Sequence, residues 1–114
     1  MYSTYQVVDA RTLTPASVTE SVKPVFDRWG IRRAWLYGSV ARGTQRASSD
    51  VDLMVEPMPD ARIGFGIVRL QEELEDALGV RVDIHSVPDP KRTNPAFLRN
   101  YEMTKVLVYE RTTG

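Results

Sequence analysis

The chain has 114 residues, 42% hydrophobic and 26% charged, a balance that describes one folded domain and excludes a disordered segment. Fifteen basic and fifteen acidic residues cancel, which argues against gripping a long nucleic acid by its backbone, and the lack of cysteine excludes disulfides, thiolate metal sites and thiol nucleophiles. The first residues do not read as a signal peptide and no apolar run nears the ~18 residues of a membrane span, so a cytoplasmic protein with no membrane or direct nucleic-acid partner is expected.

In chain order, residues 1–14 are mixed and read as an N-terminal extension. Thr14-Pro15 starts a helix, with a capping hydroxyl followed by proline at the first helical position. Val18, Val22, Val25, Phe26 and Trp29 recur at helical spacing, Pro24 is expected to kink or split the helix, and Gly30 to end it. Residues 33–37 read as a short strand, running directly into Gly38-Ser39 and an Arg-rich polar stretch. Residues 51–55 read as a second strand, broken by Pro57 and Pro59.

A further helix is expected over about 63–78, with Ile67, Leu70, Leu74, Ala77 and Leu78 as its apolar stripe and Gly79 as its cap. Residues 80–86 alternate, placing Val80, Val82 and Ile84 on one face and Arg81, Asp83 and His85 on the other. A proline-rich connection, a short helix near 96–103 and a strand over 105–110 complete a domain of residues 15–110, followed by a tail, 111–114, that looks frayed. The sum is an α/β (α+β) layer architecture in which helices cover a small sheet. Trp29, Trp35, Tyr37 and Phe65 are expected in the core or covering the sheet.

The chemistry concentrates in carboxylates. Asp50 and Asp52 are two apart on or just before a strand, so both point to one side. Two ionised carboxylates so close repel, and a divalent cation relieves the repulsion. An all-oxygen donor set suits Mg²⁺ or Mn²⁺. If the strands carrying Asp52 and Asp83 are neighbours, three carboxylates converge, a set that can hold two ions ~3.5–4 Å apart for in-line displacement at phosphorus. One ion would bridge nucleotide phosphates and the other activate an attacking hydroxyl, for which Asp83 can also act as base.

Gly38 permits a tight turn close to phosphate, and the Ser39 hydroxyl with nearby backbone N–H groups can donate to phosphate oxygens. Arg42 and Arg46 suit phosphate contacts, and Ser49 either caps the Asp50 turn or joins the nucleotide site. An Asp-x-Asp pair alone is common, as is a Gly-Ser turn; their fixed separation makes the combination specific. His85 reads as incidental.

The stretch LYGSVARGTQRASSDVDLMVE, residues 36–56, resembles the minimal nucleotidyltransferases of the DNA polymerase beta-like superfamily. It carries Gly38-Ser39, ten residues, then Asp50-Val51-Asp52, and the resemblance extends over about residues 15–110. It implies the nucleotidyltransferase fold with a small mixed sheet. Gly38 and Ser39 would hold the triphosphate of ATP, while Asp50, Asp52 and Asp83 would serve as catalytic metal ligands. Many such proteins are antitoxins that transfer AMP from ATP to a tyrosine of a HEPN-type toxin, whose Arg-x₄₋₆-His signature is absent here. The resemblance thus implies the nucleotidyltransferase half of such a pair. Two alternatives stand beside it: transfer to a small molecule such as an aminoglycoside, and a non-catalytic antitoxin that blocks its partner by binding.

Overall fold

The computed structural model describes residues 9–112. Residues 1–8 of the extension and 113–114 of the tail lie outside the described residues. Helix α1 (Pro15–Trp29) opens with the expected cap: the Thr14 hydroxyl accepts from the Ser17 N–H at 3.1 Å, and the Ser17 hydroxyl accepts from the Thr14 N–H at 3.0 Å. Pro24 does not split it. Both Pro24 and Glu20, whose carbonyl loses its helical donor, face solvent, where water can satisfy that carbonyl. Gly30, at φ 68°, ends the helix in the left-handed region.

Strand β1 (Ile31–Tyr37) follows, then a single helical turn, α2 (Ser39–Arg42), and strand β2 (Val51–Pro57). Helix α3 (Ile67–Leu78) begins later than its periodicity suggests, because Gly64–Gly66 form a 3₁₀ turn instead; glycine is a poor helix former. Strand β3 (Val82–Ser86), helix α4 (Pro95–Thr104) and strand β4 (Val106–Glu110) complete the chain. Asn94 caps α4, its side-chain oxygen accepting from the Ala96 N–H at 2.8 Å.

The strands form one mixed sheet in the order β3-β2-β1-β4, with β2 and β3 parallel and the other pairs antiparallel. One face carries Ala34, Leu36, Val51, Leu53, Val55 and Val82, packed with the buried Val18, Val22, Phe26, Leu70, Leu74 and Leu78 of α1 and α3. Ile67 and Ala77, expected in this stripe, are exposed, since they lie to either side of the narrow line 70–74–78. Phe65 is a second correction: it is fully exposed in the 3₁₀ turn rather than covering the sheet. Trp29 is half-buried against the core, with Gly66 beneath its ring, where a Cβ would stand 2.9 Å from a ring carbon.

The second face carries Trp35, Tyr37, Asp52, Met54, Asp83 and His85, as the strand register dictates. Helix α4 lies over part of it, burying Tyr101 against Tyr37. The described part of the N-terminal extension is packed, with Ala10 and Leu13 in the core. Arg111, expected in a frayed tail, is anchored: its guanidinium donates to the carbonyls of Ile31, Phe26 and Asp27 at 2.8, 2.8 and 3.1 Å. It thereby satisfies carbonyls at the C-terminal end of α1.

Candidate active site

Strand β1 ends at Tyr37, and the chain turns at Gly38 with φ 80° and ψ −155°, a region open essentially to glycine alone. A Cβ here would stand 2.6 Å from the Asp52 Oδ2, so the Asp52 carboxylate lies directly against the Gly38 backbone. The one-turn helix α2 follows at once. The Arg42 N–H donates to the Gly38 carbonyl at 3.2 Å and the Thr44 N–H to the Ser39 carbonyl at 2.9 Å. Helical geometry leaves the first N–H groups of this turn without intrahelical partners, at the place where Ser39 carries its hydroxyl.

Asp50 stands one residue ahead of β2, and Asp52 lies within it. In register, Asp52 opposes Tyr37 on β1 and Asp83 on β3. The condition set by the sequence, that the strands of Asp52 and Asp83 be neighbours, is met. Asp50 and Asp52 are half-buried and Asp83 is exposed. Burial pushes the Asp52 carboxyl above the ordinary aspartate value, and the charges of Asp83 and Asp50 push the same way against the opposing pull of His85 and Arg42. Tyr37 is raised by burial and then by the charges of Asp52 and Asp83. As the side chains stand, no three His, Asp or Glu among the described residues close into a group able to hold an ion.

The other sequence candidates spread around this centre. Arg42 ends α2 with an exposed side chain whose charge reaches Asp52. Arg46 is exposed in the loop. The Ser49 hydroxyl accepts from the Arg46 N–H at 2.7 Å, and the Ser49 N–H donates to the Arg46 carbonyl at 3.1 Å, closing the turn that delivers Asp50.

Sequence reasoning left two neighbours of this region without a part. Gln45 donates through Nε2 to the Leu13 carbonyl at 2.8 Å and the Ala10 carbonyl at 3.3 Å, and the Ala10 N–H donates to Ala47 at 3.0 Å. The N-terminal extension thus braces the loop between the Gly38 turn and the carboxylates, through contacts too distant in sequence to leave a local signal. His85, read as incidental, meets the Tyr37 ring edge-on at 6.3 Å and favours ionised Asp52.

Comparison with known proteins identifies the family. The Polymerase beta nucleotidyltransferase family matches residues 20–113. Protein adenylyltransferase MntA of Thermococcus cleftensis is 36% identical over 69 residues, 59% of this chain and 67% of that protein. A solved structure provisionally described as a minimal nucleotidyltransferase is 31% identical, with a TM-score of 0.62 over 83% of this chain and 96% of that one. A chain from the complex of tri-AMPylated Shewanella oneidensis HEPN toxin with MNT antitoxin shares the fold at 13% identity, with a TM-score of 0.57 over 86% of this chain and 74% of that one. Since the family match spans the Gly38-Ser39 turn, both aspartate-bearing strands and the helix over the second face, the chain belongs to the polymerase beta-type nucleotidyltransferases.

Proposed function

We propose that this chain is a protein adenylyltransferase: it transfers AMP from ATP to a tyrosine hydroxyl of a HEPN-type toxin, as the antitoxin of the pair. The observation that carries the transfer chemistry is the meeting of Asp52 with Gly38 on one side and Asp83 on the other, on a partly open face. Support for the acceptor comes from the relatives: one is named a protein adenylyltransferase, and a fold neighbour comes from a complex whose HEPN toxin carries AMP.

In this reading Gly38, Ser39 and the first N–H groups of α2 grip the triphosphate, with Arg42 and Ser49 at the edge of the nucleotide site. The acceptor oxygen attacks the α-phosphorus and forms a P–O bond. The bond to the bridging oxygen breaks, pyrophosphate leaves, and the hydroxyl proton passes to Asp83. Asp50, Asp52 and Asp83 fit Mg²⁺ or Mn²⁺ in donor type, and a cation would offset both the burial of the Asp52 carboxylate and the charges of Asp83 and Asp50 beside it. Adjacent strands stand about 4.8 Å apart, so side-chain rotation can draw Asp52 and Asp83 together without moving the backbone. One or two bound ions would neutralise phosphate charge and lower the pKa of the acceptor hydroxyl.

The test is intact-mass spectrometry of the partner toxin after incubation with this protein, ATP and Mg²⁺. Added AMP masses on tyrosine are expected, absent in chelator and with Asp50→Asn or Asp52→Asn. An unmodified toxin beside labelling of a small hydroxyl compound overturns the acceptor. Full transfer in excess chelator overturns the metal. Toxin inhibition undiminished by both substitutions would favour blocking by binding.

A further inference from the structure

The loop from Gly43 to Ser49 carries the chain from the helical turn α2 to Asp50, and it contains no buried side chain. Thr44, Arg46, Ala47 and Ser48 are exposed, while Gln45 and Ser49 are half-buried. Hydrogen bonds rather than apolar packing therefore fix its shape. Some are local: the Thr44 N–H donates to the Ser39 carbonyl at 2.9 Å, and the Arg46–Ser49 pair closes the turn before Asp50. Those that tie the loop to more distant parts of the described chain all end on the N-terminal extension. They are the Ala10 N–H on the Ala47 carbonyl and the two bonds from Gln45 to the Leu13 and Ala10 carbonyls. Ala10 and Leu13 belong to the core, so the extension is itself a firm anchor.

Gln45 supplies two of these ties. Its amide nitrogen carries two N–H groups, one for each carbonyl, whereas its Oε1 is buried with no partner among the described residues. An unpaired buried acceptor costs stability, so the side chain is held there for its donor end. What the ties secure is Asp50. Val51 is already fixed by the sheet, its N–H donating to the Arg81 carbonyl at 2.9 Å, and Asp52 by its register between Tyr37 and Asp83. Asp50 stands ahead of the strand, so its position depends on the loop behind it. A cation shared by Asp50 and Asp52 needs both carboxylates at once. Ordering a loose loop on binding costs affinity, and a loop already ordered on folding avoids that cost.

We propose that Gln45 is a positioning residue for the metal–nucleotide site: by pinning the loop to the Ala10 and Leu13 carbonyls it pre-orders Asp50 for the cation. The inference rests on the reading of Asp50 and Asp52 as ligands of a divalent ion, and it adds the residue that tunes their affinity.

The experiment is calorimetric titration of Mn²⁺ into metal-free wild type, Gln45→Met, Gln45→Glu, Asp50→Asn and the double variant Gln45→Met with Asp50→Asn. Melting temperature and amide hydrogen exchange are measured on each. Gln45→Met keeps the length of the side chain without its donors, and Gln45→Glu keeps its shape but turns an oxygen toward the two carbonyls. Both should weaken Mn²⁺ binding roughly tenfold, about the net worth of one hydrogen bond. Both should also speed exchange of the loop amides while the amides of β2 exchange as in wild type. On the Asp50→Asn background, Gln45→Met should change the Mn²⁺ affinity little, because the residue through which Gln45 acts is gone. Unchanged Mn²⁺ affinity in the Gln45 variants overturns the inference, whether or not the melting temperature falls. An equal loss with and without Asp50 also overturns it, by showing a general loosening of the fold. No Mn²⁺ binding by wild type overturns the metal reading, and this inference with it.

Discussion

Gly38 and Asp52 are one structural decision made by two residues. The backbone at φ 80° excludes a side chain, and the space that a side chain would fill is taken by the Asp52 carboxylate. Gly38→Ala is therefore expected to cost about 1–3 kcal/mol in backbone strain alone and to displace Asp52. Urea unfolding should show the lost stability and a transfer assay a deep loss of rate; a variant unchanged in both would show that the turn tolerates a Cβ. Asp52 pays in the opposite currency. Its folded carboxyl is raised above the ordinary value, so the folded state favours the protonated form and loses stability as pH rises from 3.8 through the raised folded value. Asp52→Asn should raise the melting temperature of metal-free protein at pH 7 while abolishing transfer. A lower melting temperature in chelator would show that the charge is stabilised by something other than a cation.

At the scale of elements, α4 carries a flaw where it meets the sheet. The Tyr101 hydroxyl is buried without a hydrogen-bond partner among the described residues, and burial followed by the influence of Glu102 and Tyr37 pushes its pKa up to about 12. Its ring nonetheless stacks on Phe97, meets Tyr37 and lies under the Lys105 ammonium, 5.1 Å from the ring centre. Tyr101→Phe keeps those contacts and removes the orphan oxygen, so it should stabilise the protein by up to about 1 kcal/mol. Loss of stability in denaturant titration would mean that the hydroxyl has a partner in solution. The loop between Gly38 and Asp50 is held differently, by Gln45 and the Ala10–Ala47 contact. Periodicity reveals a helix such as α1 because its apolar positions recur locally, but it says nothing of a loop tied down by residues more than thirty positions away.

For the whole molecule, stability should form a plateau bounded by groups far from the candidate site. Asp27 accepts from the Lys23 ammonium at 2.9 Å and the Tyr109 hydroxyl at 2.7 Å, and these bonds hold its carboxyl below the ordinary value of 3.8. A depressed carboxyl stabilises above 3.8 and loses that contribution as pH falls through its folded value. Tyr109 has the reverse sign: burial and the bond to Asp27 raise its pKa from 10.0 to about 12, so its contribution is complete below 10 and is lost as pH rises toward 12. Unfolding free energy measured against pH should fall at both ends, and Asp27→Asn should lower the plateau and flatten the acid limb. An acid limb as steep in the variant as in wild type would remove Asp27 from the account.

The motif of the candidate site was legible because it is nearly continuous in sequence: a glycine that the turn demands, a serine beside it, and two aspartates whose spacing alone puts them on one side of a strand. The helix caps at Thr14, Gly30 and Gly79 and the alternation of residues 80–86 were legible for the same reason, since capping and strand periodicity act between near neighbours. Tertiary structure alone decided what depends on distant neighbours. It set β3 parallel to β2, which brings Asp83 opposite Asp52, and laid α4 over the second face, which joins Phe97 to Tyr37. It left Phe65 in solvent despite its hydrophobicity, because the 3₁₀ turn that carries it lies off the line along which α3 packs. Local chemistry determines which residues can hold a nucleotide, whereas the pairing of strands far apart in the chain determines which of them meet.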